Sequence, residues 1–402
     1  MYAVIDVETT GILPKLRHRI AEIAVVLVDE SGRSEHEWST LINPERDLGP
    51  QHIHQIKARD VIQAPRFIDV AAHLIELLSG RVIVAHNLAF EIGFLTAEFD
   101  RMKVSTPLAH DLGLCTMMMS ASFLPGAGRN LNECCRAADI PLFGWHSALA
   151  DATATARLLS HYIEVAAHPA PWNDVVQQAR KTRWPFVDRR DFTVKTRPPN
   201  QTTDFRGVIA QSIDFMPRVD STELADPYLA VLDQAICDRY LSIDETAALS
   251  TLADSLSLTS KHVVDLHTEY VNALARVAMA DGVLTEAETA DVEHVATMLG
   301  LPGDVAARAL TAATRTNPSI KELPIEPGDM IVFTGQMAEP REVWWERATQ
   351  HGFIPHSGVT KKVKLVVAAD TDSLSGKAKK ARGYDIPIMS VEQFRIALGY
   401  GD

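Results

Sequence analysis

The strongest constraint on the fold is the order of apolar segments in the first 166 residues. Residues 2–7 alternate about apolar positions and read as a strand. Residues 20–28 (Ile-Ala-Glu-Ile-Ala-Val-Val-Leu-Val) read as a second strand and 36–43 as a third, with Asp29–Arg33 as the turn between them. Over 67–79 the spacing changes to helical, through Phe67, Val70, Ala71, Leu74, Ile75 and Leu78. Gly80 closes that helix and Arg81–Ala85 is a short buried strand. Helices are expected near 88–101, 112–121, 130–138 and 147–165. Three antiparallel strands followed by strands alternating with helices predict an α/β domain with a mixed sheet flanked by helices, over residues 1–166.

The remainder of the chain divides by composition. Residues 167–224 begin with His168-Pro-Ala-Pro171 and hold Arg180, Lys181, Arg183, Arg189, Arg190, Lys195 and Arg197 without clean periodicity. They read as a basic linker, partly ordered by packing of Trp172, Trp184, Phe186 and Phe192. Residues 225–315 are helical throughout and contain a repeat. Asp238–Leu249 aligns with Asp281–Val292 at an offset of about 43 residues. Each copy has a capping box, Ser242 with Glu245 and Thr285 with Glu288. Residues 324–402 return to α/β, with strands at 330–333, 364–368 and 386–389 and helices at 340–351, 373–383 and from 391.

The net charge of −13 is unevenly spread: acidic over 221–320, basic in the linker, balanced after 324. The acidic helical block is thus a poor binder of nucleic-acid backbone. Four cysteines, none in Cys-x-x-Cys spacing, argue against a disulfide framework or zinc finger. The first residues lack a basic n-region, and no apolar run reaches the length that spans a bilayer. A cytoplasmic protein without membrane contact is expected.

Three short segments carry chemistry. Asp6-Val7-Glu8 places two carboxylates on one face of a strand, with Cα atoms about 6.5–7 Å apart, where a hard divalent cation relieves their repulsion. Alone, Asp-x-Glu is a weak signal. His146-Ser-Ala-Leu-Ala-Asp151 sets a loop histidine ahead of a helix capped by Ser147, with Asp151 a turn further on. That pairing suits a general base beside a metal ligand, and equally a plain capping motif. In Ala85-His86-Asn87-Leu-Ala-Phe90-Glu91 a buried strand ends in polar residues and a helix begins with Glu91 in its first turn, a position routinely structural.

The order and spacing of Asp6-Val-Glu8-Thr-Thr-Gly11, Asn87-Leu-Ala-Phe90-Glu91 and His146-Ser-Ala-Leu-Ala-Asp151 resemble the DEDDh 3′–5′ exonucleases, the family of the epsilon proofreading subunit of bacterial DNA polymerase III. Asn43-Pro44, Ile53-His54-Gln55-Ile56, Ala64-Pro65 and Leu131-Asn132 agree with it. The resemblance covers residues 1 to about 165 and implies an RNase H-like fold and two-metal phosphodiester hydrolysis with Mg²⁺ or Mn²⁺. It implies that Asp6 bridges both ions, that Glu8 and Asp151 hold the ion that activates water, and that His146 deprotonates that water. Thr9, Thr10, Gly11, Asn87 and Phe90 would face the terminal nucleotide, with Ile12 or Leu13 helping to wedge bases apart. Lys15, Arg17, His18 and Arg19 are candidates for meeting backbone charge. One residue departs from the pattern: Glu91 stands where the family has Asp, one methylene longer. Weaker activity or altered metal preference is expected from it.

The helical block resembles the TerB-like domain in Ala280-Asp-Gly-Val-Leu-Thr285-Glu-Ala-Glu288, where Asp281, Glu286, Glu288 and Asp291 form an acidic face without the pattern of a calcium loop. The last block resembles a BRCT domain through Phe333-Thr-Gly335, Trp344-Trp345, Gly358–Lys362, Ser375–Ala381 and Phe394. In phosphate-binding members a Ser/Thr-Gly pair and a lysine of the second helix clamp the anion, and Thr334, Gly335 and Lys377 match those positions. Three functions remain open: an exonuclease acting on single-stranded or frayed DNA 3′ ends in repair or replication, an RNA exonuclease, and a nuclease-fold scaffold. A protein partner is expected to engage the BRCT and acidic helical domains.

Overall fold

A computed structural model describes residues 1–49, 51–142, 147–166, 168–197, 213, 216, 218, 225–237, 239–279, 284–316, 325–335, 337, 340–369, 376–384, 386–391 and 394–395. By its contacts the chain forms two compact units, Met1–Leu274 with His294–Pro302 and Ala275–Glu293 with Gly303–Asp402.

The first unit is built on a five-stranded mixed sheet. Its strands are β1 (Tyr2–Thr9), β2 (Ile20–Val28), β3 (Ser34–Leu41), β4 (Val82–Ala85) and β5 (Gly113–Cys115), in the order β3-β2-β1-β4-β5. β1 pairs antiparallel with β2 and parallel with β4. Helices α1 (Gln51–His54), α2 (Ala58–Val61), α3 (Phe67–Leu78), α4 (Leu88–Arg101), α5 (Thr116–Phe123), α6 (Leu131–Ala137), α7 (Ala148–Val165) and α8 (Asn173–Lys181) follow in chain order.

The period-2 alternation of β1 separates two cores. Ala3, Ile5 and Val7 face Phe67, Leu74, Phe94 and Phe99 of α3 and α4. Tyr2 and Val4 face Ala152, Ala156, Leu159 and Tyr162 of α7. Burial of such side chains stabilises by roughly 1.5–3 kcal/mol each. Asp6 and Glu8 continue the α7-facing row and are the two partly exposed residues of an otherwise buried strand. The same alternation that builds the core therefore delivers the acidic pair to the sheet's end.

The expected strands and helices of this segment are present, with shifts of a residue or two. The exception is 112–121, where β5 and then α5 replace a single helix. Three residues are too few to show alternation, and β5 is defined by its parallel pairing with β4. The presumed linker also differs. It contains α8, and Trp172 is buried with its indole N–H donating to the Tyr2 hydroxyl at 2.9 Å. Trp184 and Phe192 pack on the α3/α4 core as expected, but Phe186 is 89 % exposed.

Further helices are α9 (Ala225–Ile236), α10 (Ile243–Ser255), α11 (Ser260–Ala278), α12 (Glu286–Met298) and α13 (Val305–Thr316). Both capping boxes form: Glu245 N–H donates to Ser242 Oγ at 3.1 Å and Glu288 N–H to Thr285 Oγ1 at 3.2 Å. The acidic face is not uniform, because Asp291 is buried and Glu288 is committed to its cap, while Asp281 lies outside the described residues. Helices α9 and α10 belong wholly to the first unit. Arg129, on the loop before α6, donates to Asp233 of α9 at 2.6 and 2.7 Å, and the Tyr270 hydroxyl donates to the same carboxylate at 2.7 Å.

The second unit contains a four-stranded parallel sheet of β6 (Met330–Thr334), β7 (Ile354–Pro355), β8 (Val363–Ala368) and β9 (Ile388–Ser390), in the order β7-β6-β8-β9. Helices α14 (Arg341–Gln350) and α15 (Gly376–Gly383) accompany it. Ile331, Phe333, Trp344, Leu365 and Phe394 form the core on one face.

Candidate active site

The end of β1 gathers carboxylates from separate parts of the chain. Asp6 and Glu8 come from β1, Glu91 from the first turn of α4, and Asp151 from the start of α7, which Ser147 caps by accepting the Ala150 N–H at 3.3 Å. Glu22 of β2 stands directly across from Glu8 in the strand register. These groups crowd one another. Burial and then the charges of Glu91, Asp151, Glu8 and Glu22 push the Asp6 carboxyl well above the ordinary range. Glu91 is raised by burial and then by Glu8, with a backbone hydrogen bond at Val7 offsetting part of it. Burial pushes Glu8 up to about 8, against the Arg197 guanidinium, which lowers it.

Glu91 is buried, and its Oε2 makes no hydrogen bond. With its extra methylene, Glu91 still raises the pKa of Asp6 and has its own raised by Glu8 and Asp151. Among the described residues, no three His, Cys, Asp or Glu side chains close into a ligand shell as they stand. Hard carboxylate oxygens, excess negative charge and an unpartnered buried oxygen nevertheless fit a divalent cation by donor chemistry. His146 lies outside the described residues.

A cleft of about 450 Å³ opens beside these groups, lined by Glu8, Thr9, Thr10, Gly11, Ile12 and Phe90 on one side. Gln234, Tyr240, Ser242, Asp244 and Glu245 line the other. Thr9 Oγ1 donates to the Gly11 carbonyl at 2.8 Å, and Thr10 is tied to Arg19 through both its backbone and its hydroxyl. A Cβ at Gly11 would fall within 2.5 Å of the His18 ring, so only glycine lets that ring close over the turn. Asn87, at the start of α4, leaves its buried Oδ1 without a hydrogen bond, and Phe90 packs on Phe94 with centroids 4.8 Å apart. Asn87 and Phe90 also border a second cavity of about 560 Å³ with Ile12, Leu13 and Val231.

Two of the basic residues expected at the cleft are otherwise engaged. Arg19 is clamped by buried Glu98 at 2.7 and 2.9 Å, so it is a structural ion pair. The His18 Nδ1 lies 3.3 Å from the Thr10 hydroxyl, and burial and then Arg46 lower its pKa. Lys15 and Arg17 are exposed. His86 is a supporting residue: its ring nitrogens meet Thr116 Oγ1 at 3.0 Å and the Arg129 carbonyl at 2.9 Å, and burial lowers its pKa to about 4.

Sequence reasoning missed Glu22 and Arg197. Glu22, the one charged residue in the apolar run of β2, offered a local signal; Arg197, within a basic stretch, offered none. In the second unit, Lys377 Nζ donates to the Phe333 carbonyl at 3.3 Å. Arg341, also missed, reaches the Gly335 carbonyl at 3.4 Å. Burial and then Arg341 lower the Lys377 pKa. Thr334, Gly335 and Lys377 therefore lie close together, while residues 370–375 before α15 lie outside the described residues.

A mixed sheet with carboxylates converging on the end of its first strand defines a candidate hydrolase of phosphate esters. Residues 3–159 match the family described as Exonuclease. The DNA polymerase III subunit epsilon of Rickettsia felis is 33 % identical over 171 residues, spanning 40 % of this chain and 72 % of that protein. That of Treponema pallidum is 34 % identical over 131 residues, spanning 32 % of this chain and 59 % of that protein. The 3′–5′ exonuclease DinG of Bacillus subtilis is 32 % identical over 167 residues, or 40 % and 18 % of the two chains. A crystal structure of E. coli exonuclease I with a dT13 oligonucleotide overlaps 87 % of this chain and 86 % of that chain at 15 % identity. Its TM-score of 0.35 is too low to define a common fold. The chain belongs to the exonuclease family of the DNA polymerase III epsilon subunits and is a 3′–5′ exonuclease. Exonucleases of this family use divalent metal ions. Among the described residues no helix is long and apolar enough to cross a membrane.

Proposed function

We propose that this enzyme removes nucleotides one at a time from single-stranded or frayed DNA 3′ ends, in repair or replication. The observation that carries the reading is the convergence of Asp6, Glu8 and Glu91 on one end of β1, with the buried Glu91 Oε2 unpartnered. Asp6, Glu8, Glu91 and Asp151 would hold two ions, Mg²⁺ or Mn²⁺. When bound, the ions supply charge stabilisation for the phosphoryl oxygens and leaving group and lower the pKa of attacking water. Asp6, which feels the charges of Glu91, Asp151 and Glu8, would be the ligand shared by the two ions. His146, just ahead of the Ser147 cap, accepts the proton of the attacking water. Thr9, Thr10 and Gly11 form the cleft floor, and Phe90 and Asn87 meet the terminal nucleotide.

The acidic wall of Asp244 and Glu245 opposes the floor. It disfavours a polyanion laid across that side, which supports end-on entry of a single strand. For the second unit, the parallel order β7-β6-β8-β9 supports the BRCT reading. Thr334, Gly335 and Lys377, joined by Arg341, then form a phosphate pocket for a DNA end or a phosphoprotein partner. The paired capping boxes support the TerB-like reading of the helical repeat.

Matched 5′-labelled single-stranded DNA and RNA oligomers, incubated with Mg²⁺ or Mn²⁺, test the substrate. A ladder shortening from the 3′ end of DNA, faster than of RNA, is expected. The reverse preference makes the enzyme an RNA exonuclease, and no ladder on either by folded protein leaves the scaffold reading.

A further inference from the structure

The basic segment after α8 is fastened to the catalytic sheet and places Arg197 at the carboxylate cluster. Leu41 N–H at the end of β3 donates to the Lys195 carbonyl at 2.7 Å, and Lys195 N–H donates to Thr40 Oγ1 at 3.0 Å. Two residues on, the Arg197 guanidinium grips Glu22, with Nη2 at 2.6 Å from Oε2 and Nε at 3.3 Å from Oε1. Nη1 donates to the His54 carbonyl, and Nη2 stands 4.0 Å from Glu8 Oε1. Its side chain is only 13 % exposed.

Glu22 is the link. Its Oε2 also accepts the Ala148 N–H at 3.1 Å, at the first turn of the helix that carries Asp151. It opposes Glu8 across the strand pair, where two like charges destabilise each other. A forked guanidinium cancels that repulsion and fixes direction as well as charge, which an ammonium does less well. We propose that Arg197 is a positioning residue for the exonuclease reaction, holding Glu22 so that Glu8 and the Asp151-bearing end of α7 keep their places. The stretch between the nuclease and helical segments is then part of the catalytic apparatus. The inference rests on the proposed roles of Glu8 and Asp151.

The test uses the full chain and the variants Arg197→Gln, Arg197→Lys and Arg197→Gln with Glu22→Gln. On labelled single-stranded DNA one measures kcat, KM, the Mn²⁺ concentration for half-maximal rate, and the melting temperature. Arg197→Gln is expected to lower kcat about 10–100-fold and shift the Mn²⁺ dependence with little change in KM. Arg197→Lys recovers part of kcat, and the double variant recovers most of it because no carboxylate is left stranded against Glu8. Wild-type kcat and Mn²⁺ dependence in Arg197→Gln would overturn the proposal. So would a rise in KM alone, which makes Arg197 a substrate contact, or a loss that Glu22→Gln fails to relieve in a protein that melts normally. Should Arg197→Gln not fold, the lysine variant decides: partial kcat at normal melting supports the role, and full kcat overturns it. Asp6→Asn runs alongside, and retained activity there would sink the assignment of the site itself.

Discussion

Two buried charge clusters in the first unit differ in how their charges balance. At the anchor, Arg129 meets Asp233 at 2.6 Å, and Tyr270 donates to the same carboxylate at 2.7 Å. At the cleft, Asp6, Glu8 and Glu91 crowd one another, and Arg197 grips Glu22 and approaches Glu8 to 4.0 Å. Desolvation opposes charge in both places. The anchor offsets it with an ion pair that ties α9 to the loop before α6. The cleft instead holds Asp6, Glu8 and Glu91 with their carboxyl pKa values raised by burial and by one another. Neutralising a charge should therefore have opposite effects on stability in the two places.

The largest expected effect is on the rate. Asp6→Asn removes several kcal/mol of transition-state stabilisation, so kcat should fall on the order of 10³-fold. Its melting temperature, measured with chelator, should hold or rise because repulsion is relieved; a clear fall would break the contrast. Arg129→Ala strands Asp233 and should destabilise by about 3–5 kcal/mol in denaturant titrations. Loss under 1 kcal/mol would mean that the anchor contributes little. Glu91→Asp shortens one cation ligand, and the ratio of Mn²⁺- to Mg²⁺-supported rates should change about tenfold. His86 borders the site and is held between Thr116 and the Arg129 carbonyl. Its pKa is depressed to about 4, so its contribution to stability is complete above about 6.5 and is lost as pH falls through about 4. Melting curves of His86→Gln should show a flatter acid limb than wild type. The smallest effects are the paired cap variants Ser242→Ala and Thr285→Ala, each costing about 1 kcal/mol. Only Ser242→Ala, which also alters the cleft wall, should change KM.

What could be read from the sequence was local. Alternation in β1, the 3.6-residue spacing of α3 and the Ser147 cap each leave a mark within a few residues, so the elements that carry Asp6, Glu8, Glu91 and Asp151 are all legible in the sequence, with Glu91 in its expected first turn. What was illegible depends on partners far away in the chain. Arg197 meets Glu22 across 175 residues and Arg129 meets Asp233 across 104. Arg19 looked available for phosphate until Glu98, 79 residues on, claimed it. Helix α8 escaped notice because its apolar residues are few, and it is held by the flanking Trp172 and by Val176 and Ala179 in the α7 core. The approach of α9 and α10 to the cleft had no local sign either, since Tyr240 and Asp244 look like ordinary surface residues in sequence.

On the proposed function, Asp6, Glu8, Glu91 and Asp151 form a cation-binding catalytic centre in which Asp6 would be the shared ligand. Counting Mn²⁺ bound to the full chain, from the free-ion paramagnetic resonance signal, tests it most directly. Two ions per wild-type chain and loss of both in Asp6→Asn are expected. Equal stoichiometry and affinity in the two proteins would contradict it.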